Sequence, residues 1–487
     1  MLEAYCWPRS ALPGDTVAIH ASTDQGSFGI EVARDGAERR LVWTGEGAAA
    51  HHATPEDASS GGCGWPPALE VTIGEDWASG YYPVTLTAGD DRADAFFVVR
   101  PRPGAREPIL LVLSTSTYDA YNDWGGPSLY TGGGVHVASE RPLAAGFLVK
   151  PEPHRRKMQP LPDREGLWFF EWAEPLGLSV WSGGAGWWNW ERPFVHWAER
   201  NGFDVDVAIS TDLDADPGLL EGHRLFVSVG HDEYWSWGMR DRIEAFTAAG
   251  GNAAFFSGNT CFWQVRFDDG HRGLTCFKYR ADEDPMLGTA DERLLTAPWS
   301  DRRIERPETS TTGLTFTRGG YSRYGLGVPR GSGAYTVWRP DHWIFEGTRL
   351  RYGDALGLAD AIVAYEVDGC ELTLGENGLP RPTHADGAPE ALEILATAPA
   401  RLWTRDEQPS RYAHEPGELE HAAAAVFGED WPSELHRLEH NHAVLGAFTT
   451  AGGGTVVNTG VTDWSYGLAD GAVEQITRNI LRRLSAP

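Results

Sequence analysis

The sequence predicts an α/β protein, with a β-sandwich over residues 1–105 and a larger α/β domain with long loop insertions over residues 106–487. Short runs of alternating apolar and polar residues, separated by turn residues, fill the first hundred positions. Further along, apolar runs alternate with segments of helical periodicity, which is typical of parallel sheets. Between these regions, residues 100–108 are rich in Arg and Pro and break both periodicities, so they mark the domain boundary.

The N-terminal runs have the density of strands that is typical of a small immunoglobulin-like sandwich. Each run alternates apolar and polar side chains, as a strand with one buried face requires. The predicted strands are Thr16–His20, Gly29–Ala33, Ala68–Ile73, Tyr82–Thr87 and Asp94–Val99.

The C-terminal region contains apolar runs of the kind found in strands that are covered on both faces. The predicted strands are Ile109–Leu113, Asp204–Ile209, Leu225–Val229, Asn252–Phe256, Ala361–Tyr365 and Thr455–Asn458. Helices are predicted over 194–201, 238–251 and 473–484, the second ending at glycine. Residues 270–360 have no clear period and are interpreted as a long insertion around the functional site.

Composition excludes several classes of function. The formal charge of −28 would repel nucleic acid and anionic membranes. The sequence shows no signal-peptide pattern and no apolar stretch of roughly 18 residues, so we expect a cytoplasmic protein. The five cysteines form no C-x-x-C pair and are expected to be reduced. With only three lysines, Lys150, Lys157 and Lys278, lysine-based catalysis has few candidates.

Polar side chains follow four of the predicted strands. Ligands in open α/β sheets bind outside the carboxyl ends of the strands, where the loops converge. We therefore expect these loops to form one polar pocket. Its candidate residues are Tyr121 after the first strand, His231 and Glu233 after Leu225–Val229, Asn259 and Cys261 after Asn252–Phe256, and Glu366 after Ala361–Tyr365.

Two chemistries fit this pocket. Cys261 beside His231 and Glu233 would give a thiol nucleophile suited to amide hydrolysis, although a free cysteine is more often a small buried apolar residue. Alternatively, the Glu233 carboxylate and a Tyr121 phenolate would hold a hard, strongly Lewis-acidic cation such as ferric iron. In that case His231 would serve as the general acid or base.

Each candidate also has an ordinary structural role. Tyr121 could be a buried aromatic residue with a hydrogen-bonded hydroxyl, and Asn259 could be a left-handed turn residue. His231 and Glu233 could be polar residues at the start of a helix. The tryptophans of the Trp187–Trp190 segment could bind a sugar, but packing in the core and loops is the commoner use of such residues.

Three motifs resemble the C-terminal catalytic region of the N,N-dimethylformamidase large-subunit family. They are Thr117–Tyr130 (TYDAYNDWGGPSLY), Gly230–Ser236 (GHDEYWS) and Ser257–Arg266 (SGNTCFWQVR). The segments Tyr365–Gly369 and Asn458–Trp464 extend the resemblance, which covers roughly residues 80–485.

The resemblance implies a glutamine-amidotransferase-like α/β fold and a mononuclear iron held by two tyrosines and one glutamate. It implies that Glu233 and Tyr121 are iron ligands, with Tyr118 a weaker choice than Tyr121. It also implies that His231, Asn259 and Glu366 act on the substrate. The second iron tyrosine is missing, because no tyrosine occurs between Tyr130 and Tyr234. Either Tyr130 substitutes for it, or the site has two protein ligands, or the metal is absent.

The leading hypothesis is therefore a metal-assisted hydrolase of a small, non-peptide amide. The family pairs its large subunit with a small one, so a small subunit or a homo-oligomer is an expected partner. The alternative is a non-catalytic protein that binds a sugar or another small molecule through a degenerate site. Retention of His231, Glu233, Asn259 and Glu366 favours the enzyme, because buried polar groups are costly to keep without a use.

Overall fold

A computed structural model describes residues 1–154, 156–157, 168–268, 270–323, 331–408 and 417–487. The protein is a mixed α/β protein that divides into two compact units interleaved along the chain. The first unit comprises Met1–His154, Ala173–His223 and Phe267–Thr275, and the second comprises Arg155–Trp172, Arg224–Arg266 and Cys276–Pro487. The first unit includes residues on both sides of position 105. The domain boundary predicted there stays a prediction.

The strands are numbered in chain order. They are β1 (Leu2–Trp7), β2 (Ser10–Ala11), β3 (Thr16–Thr23), β4 (Ser27–Asp35), β5 (Arg39–Ala48), β6 (Pro67–Thr72), β7 (Gly80–Ala88), β8 (Asp91–Val99), β9 (Ile109–Leu113), β10 (His136–Ala138), β11 (Val205–Ile209), β12 (Leu225–His231), β13 (Tyr234–Ser236), β14 (Asn252–Gly258), β15 (Trp263–Phe267), β16 (Gly273–Thr275), β17 (Thr315–Tyr321), β18 (Tyr335–Val337), β19 (Ala355–Leu356), β20 (Glu366–Gly369), β21 (Leu372–Leu374), β22 (Pro380–Pro382), β23 (Glu393–Ala400), β24 (Asn441–Thr449) and β25 (Thr455–Asn458).

The α-helices are α1 (Ala58–Gly61), α2 (Thr115–Tyr121), α3 (Trp168–Ala173), α4 (Glu191–Arg200), α5 (Ser210–Ala215), α6 (Trp237–Ala248), α7 (Thr309–Thr312), α8 (Glu418–Phe427), α9 (Trp431–Glu434) and α10 (Gly471–Ser485). Short 3-10 helices occur between them, the longest being Thr462–Ala469. In the part of the chain that the structure describes, no helix has the length and apolarity needed to cross a membrane.

The first unit contains two mainly antiparallel sheets at its N-terminus. One sheet has the order β1-β3-β6, and the other has the order β2-β8-β7-β4-β5, in which only the short β2 pairs parallel to its neighbour. A single apolar cluster takes side chains from both sheets, including Val17 and Ile19 from one and Val32, Val84 and Phe97 from the other. The five predicted strands all overlap observed ones, and the immunoglobulin-like sandwich stays a prediction. Strands β9 and β11 form a parallel pair in the same unit.

The second unit is built on a mixed sheet with the strand order β12-β14-β25-β24-β23-β18-β19. Strands β12, β14 and β25 are parallel, and β24, β23, β18 and β19 join antiparallel. All residues of β12 are buried, as its continuous apolar run predicts. Helices α6 and α10 contact β14. The parallel strands bring the carboxyl ends of β12 and β14 to one edge, where the candidate site lies.

The prediction of a strand over Ala361–Tyr365 is wrong. Those residues are buried outside any strand, because Ala361 takes a left-handed φ of 48° that interrupts an extended chain. The strand β20 begins only at Glu366 and pairs antiparallel with β17, opposing Glu366 to Tyr321. Glu366 therefore reaches its position at the start of an antiparallel strand, and not at the end of a parallel one.

Candidate active site

The ends of two neighbouring parallel strands position His231 and Asn259. In the register of β12 and β14, His231 is paired with Gly258, and Asn259 is the next residue along the chain. Glu233 follows in the short connection to β13, and its carbonyl accepts the N–H groups of Phe262 (3.0 Å) and Trp263 (2.9 Å). The two loops are therefore tied together, and the side chains that they carry face the same buried space.

The loop after β14 has a backbone that only certain residues can form. A Cβ on Gly258 would lie 2.6 Å from both the Glu366 carbonyl oxygen and the Thr462 amide nitrogen, so glycine is required for this close approach. Asn259 follows with a left-handed φ of 50°. The Asp368 carboxylate accepts the backbone N–H groups of Asn259 (2.8 Å) and Thr260 (3.0 Å). This contact joins the loop to β20 and fixes Asn259 relative to Glu366.

Four predicted site residues, His231, Glu233, Asn259 and Glu366, meet in the second unit. The Nε2 atom of His231 lies 2.6 Å from Glu366 Oε2 and 3.4 Å from Glu233 Oε2. The Asn259 amide nitrogen donates to Glu366 Oε2 at 3.0 Å and lies 3.4 Å from His231 Nε2. Each of the four is only 2–3% exposed. Because two carboxylates face Nε2, we assign the proton of the imidazole to that nitrogen.

Two lysines complete the cluster, although the sequence patterns did not place them at the site. Lys278 Nζ lies 3.3 Å from Glu233 Oε1 and donates to the Tyr234 hydroxyl at 2.8 Å. Lys157 Nζ donates to the Tyr365 hydroxyl at 2.8 Å, next to Glu366 in the chain. All three lysines of the chain are buried, which is rare for this residue type. The scarcity of lysine in the sequence was the one signal that could have directed attention to them.

The electrostatics of the cluster follow from burial and from these contacts. Burial opposes the charge of Glu366, but the charge and hydrogen bond of His231, followed by the charge of Lys157, lower the pKa of Glu366 to about 2. Burial lowers the pKa of Lys157 to about 8 against the attraction of Glu366 and Glu233. Burial also raises the pKa of Asp368 to about 7, although two backbone N–H groups favour its charged form. Glu366 is therefore ionised at neutral pH.

One acceptor of the site is left unused by the residues that the structure describes. Asn259 Oδ1 is buried and has no hydrogen-bond partner among the residues that the structure describes. Its amide nitrogen is held by Glu366, so the oxygen has a fixed direction. A buried carbonyl oxygen without a partner is costly, and a donor group on a bound molecule would remove that cost.

Tyr121, the predicted metal-binding tyrosine, belongs to the first unit, whereas Glu233 belongs to the second. The Tyr121 ring centroid lies 4.0 Å from that of Tyr130, the residue considered as a substitute for the second tyrosine. The Tyr118 hydroxyl is used differently, because it donates to the Glu191 carboxylate. The pocket predicted to unite Tyr121 with His231, Glu233 and Asn259 stays a prediction.

A hard cation at Glu233 would need oxygen donors that are free to bind it. A carboxylate and phenolate oxygens suit ferric iron, but Lys278 already balances the Glu233 charge. Within the described ranges, no group of three or more His, Cys, Asp and Glu side chains is arranged to hold a metal ion. As arranged, the described histidine, cysteine, aspartate and glutamate side chains form no metal site by themselves.

Cys261 does not have the surroundings of a nucleophile. Its side chain is fully buried, and its backbone takes a left-handed φ of 55°. Burial raises the pKa of the Cys261 thiol well above its ordinary value, with only partial opposition from the charge of Arg240. The thiolate is therefore disfavoured, which argues against Cys261 as the nucleophile considered in the sequence analysis.

Known proteins resemble this chain over most of its length. A family profile described as "N,N-dimethylformamidase beta subunit-like, C-terminal" matches residues 30–478. The N,N-dimethylformamidase beta subunit of Alcaligenes sp is 27% identical over 349 residues, covering 64% of this chain and 43% of that protein. The protein of the same name from Paracoccus aminophilus is 25% identical over 458 residues, covering 86% of this chain and 54% of that protein. The chain thus spans about half the length of the curated relatives it matches.

Proposed function

Because the chain belongs to the N,N-dimethylformamidase beta subunit-like family, we propose that it hydrolyses the carbon–nitrogen bond of a small, non-peptide amide. N,N-dimethylformamide, named for the relatives, is the first substrate to test. The relatives are also named as beta subunits, so we propose that the chain acts together with a further subunit.

The observation that carries this proposal is the contact of His231 Nε2 with Glu366 Oε2 at 2.6 Å, with the Asn259 amide nitrogen on the same oxygen. A buried imidazole hydrogen-bonded to a carboxylate can take up and return a proton at fixed geometry. Burial excludes bulk water and strengthens each charge interaction in the cluster. Amide hydrolysis needs both properties, since a proton must leave the attacking water and reach the departing amine.

In the proposed reaction, a water oxygen forms a bond to the amide carbon while its proton passes to the Glu366–His231 pair. Charge develops on the carbonyl oxygen, and the ammonium groups of Lys278 and Lys157 supply positive charge in the same cluster. The C–N bond then breaks, and the pair returns the proton to the leaving nitrogen. The products are a carboxylic acid and an amine, and the pair regains its starting protonation.

The proposal also includes the fold of two parts of the chain. We propose that the parallel strands belong to a glutamine-amidotransferase-like fold and that residues 1–105 form an immunoglobulin-like sandwich. The iron expected from the family resemblance is a separate proposal, with Glu233 and Tyr121 as its ligands. To hold the ion, Glu233 would have to exchange its contact with Lys278 for the metal.

The test is an assay of the purified chain for release of dimethylamine and formate from N,N-dimethylformamide, followed by NMR, with formamide and acetamide in parallel. We expect His231→Asn to lower turnover by about a hundredfold or more, the usual contribution of a general acid or base. His223→Asn is the matched control, because His223 is also buried but its Nδ1 donates to the Glu107 carbonyl in the first unit. Equal turnover by both variants would contradict the proposal. Binding of an amide without turnover by the wild type would favour the non-catalytic alternative.

A further inference from the structure

The first unit contains a cavity of about 580 Å³ that the proposed function does not use. This volume lies within the range of roughly 300–1,000 Å³ that is typical of small-molecule sites. Its walls come from β4, β7, β8, the Trp187–Trp188 segment and α4. Along α4, Arg192, His196 and Arg200 are spaced by four residues, which places them on one face of the helix. The cavity lining includes none of the residues proposed for amide hydrolysis.

Asp35, the last residue of β4, organises one wall of the cavity. Its carboxylate contacts His196 Nε2 (2.8 Å), Trp187 Nε1 (3.0 Å) and Arg192 Nε (3.1 Å), and the residue is only 7% exposed. These hydrogen bonds lower the pKa of Asp35 in spite of its burial. The acceptor capacity of Asp35 is thus committed to the protein, and three side chains from the opposite segments are held in place.

The aromatic residues of the cavity have distinct roles. Trp187 stacks on Tyr81 with centroids 4.1 Å apart, and Tyr81 stacks in turn on Phe96 at 5.2 Å. Because Trp187 and Tyr81 are each only 1% exposed, neither offers a free ring face to a sugar. Trp188 is half-buried, and the Arg192 guanidinium lies 4.0 Å from its ring centroid. This stacked pair provides a flat, positively charged surface.

Donor groups in this cavity outnumber the available acceptors. The Tyr81 hydroxyl and the Trp188 indole nitrogen are buried atoms that have no hydrogen-bond partner in the described ranges. Arg192 uses only its Nε atom in the hydrogen bonds that connect it to described residues. Four arginines line the cavity against three carboxylates, although the chain as a whole carries a charge of −28. An acceptor-rich anion would satisfy the unused donors and meet this local positive charge.

We propose that this cavity is a second ligand site, which binds a small organic anion composed of a carboxylate attached to a planar ring. The carboxylate accepts from the terminal nitrogens of Arg192, the Trp188 indole N–H and the Tyr81 hydroxyl. The ring lies along the Arg192–Trp188 surface. The site is independent of the proposed amide hydrolysis, and the two proposals can fail separately.

The test is isothermal titration calorimetry on the full chain with benzoate, with acetate and benzyl alcohol as probes of the charge alone and the ring alone. We expect one benzoate per chain, bound more tightly than either partial probe. Arg192→Gln should weaken benzoate binding about tenfold or more, since it removes a charged donor. The matched control is Arg483→Gln, because Arg483 lies 4.6 Å from the Trp343 ring centroid in the second unit and outside the cavity.

Tyr81→Phe distinguishes a role in ligand binding from a role in the stability of the fold. It removes a buried hydroxyl without a described partner, so the variant without ligand should be at least as stable as the wild type. The same change should weaken benzoate binding and reduce the rise in melting temperature that benzoate produces. Absence of benzoate binding, equal affinity in wild type and Arg192→Gln, or preferential binding of glucose would each overturn the proposal.

Discussion

Glu366 Oε2 lies 2.6 Å from His231 Nε2, and the two side chains come from different kinds of strand. His231 ends the parallel strand β12, whereas Glu366 begins the antiparallel strand β20. The Asp368 carboxylate connects the two regions by accepting two backbone N–H groups of the loop after β14. The candidate site therefore depends on where β20 crosses the end of the parallel sheet.

Glu366→Gln should destabilise the folded chain in a pH-dependent way. The folded pKa of Glu366 is lowered to about 2 from an ordinary value of 4.5. A lowered carboxyl pKa adds stability that is fully present above pH 4.5 and is lost as the pH falls towards 2. We expect a loss of about 3 kcal/mol in the free energy of unfolding at pH 7, as for other broken buried ion pairs. Urea denaturation at pH 7, 4 and 3 should show the difference from the wild type shrinking as the pH falls, and a difference that grows would contradict the assignment.

Lys278→Met should lower kcat/KM for amide hydrolysis more than stability alone explains. The change keeps an apolar stem but removes the cation that lies 3.3 Å from Glu233, so developing negative charge loses a compensating group. We expect a loss of about tenfold to a hundredfold. Lys150→Met is the matched control, because Lys150 is equally buried but donates to two backbone carbonyls and the Asn189 side chain in the first unit. The prediction fails if both variants retain the same kcat/KM while folded.

The parts of the site carried by strand ends were predictable from the sequence. Ile109–Leu113 was predicted with its observed bounds, and His231 and Asn259 were expected together because neighbouring parallel strands end at one edge. The family predicted from the motifs is confirmed by the match over residues 30–478. These successes rest on local patterns, since continuous apolar runs specify buried strands without knowledge of the rest of the fold.

The other parts of the fold and site depend on contacts between residues far apart in the sequence, which no local pattern predicts. Lys278 lies in the segment without clear periodicity, and its proximity to Glu233 arises only in the folded chain. The strand predicted before Glu366 was wrong, because a left-handed residue, Ala361, interrupts an apolar run that is buried in any case. The role of Asp368 was not predicted either, since its partners are backbone groups more than a hundred residues away.

Cys261→Ser should retain most of the amide hydrolase activity. The thiol is fully buried and its pKa is raised by burial, so little thiolate is available for attack. Cys6→Ser is a suitable control for the cost of placing a hydroxyl in an apolar site, because Cys6 is also buried, in the first unit. Steady-state kinetics of both variants give the comparison. A loss of about three orders of magnitude in kcat/KM for Cys261→Ser alone would instead indicate thiol catalysis.

Glu233→Gln and Tyr121→Phe should both reduce bound metal if the proposed iron site exists. Glutamine keeps the shape and one oxygen of Glu233 but removes the charge that offsets a cation, and phenylalanine keeps the ring of Tyr121 without its ligand. Tyr118→Phe should leave the metal content unchanged, because the Tyr118 hydroxyl already donates to Glu191. Elemental analysis measures the metal content and circular dichroism the fold, and melting temperatures should fall no further than loss of a bound ion explains.

Stoichiometric metal in both variants would place the ion elsewhere. A wild-type chain that hydrolyses amides without metal would assign the chemistry to the His231–Glu366 pair and leave Glu233 as the partner of Lys278.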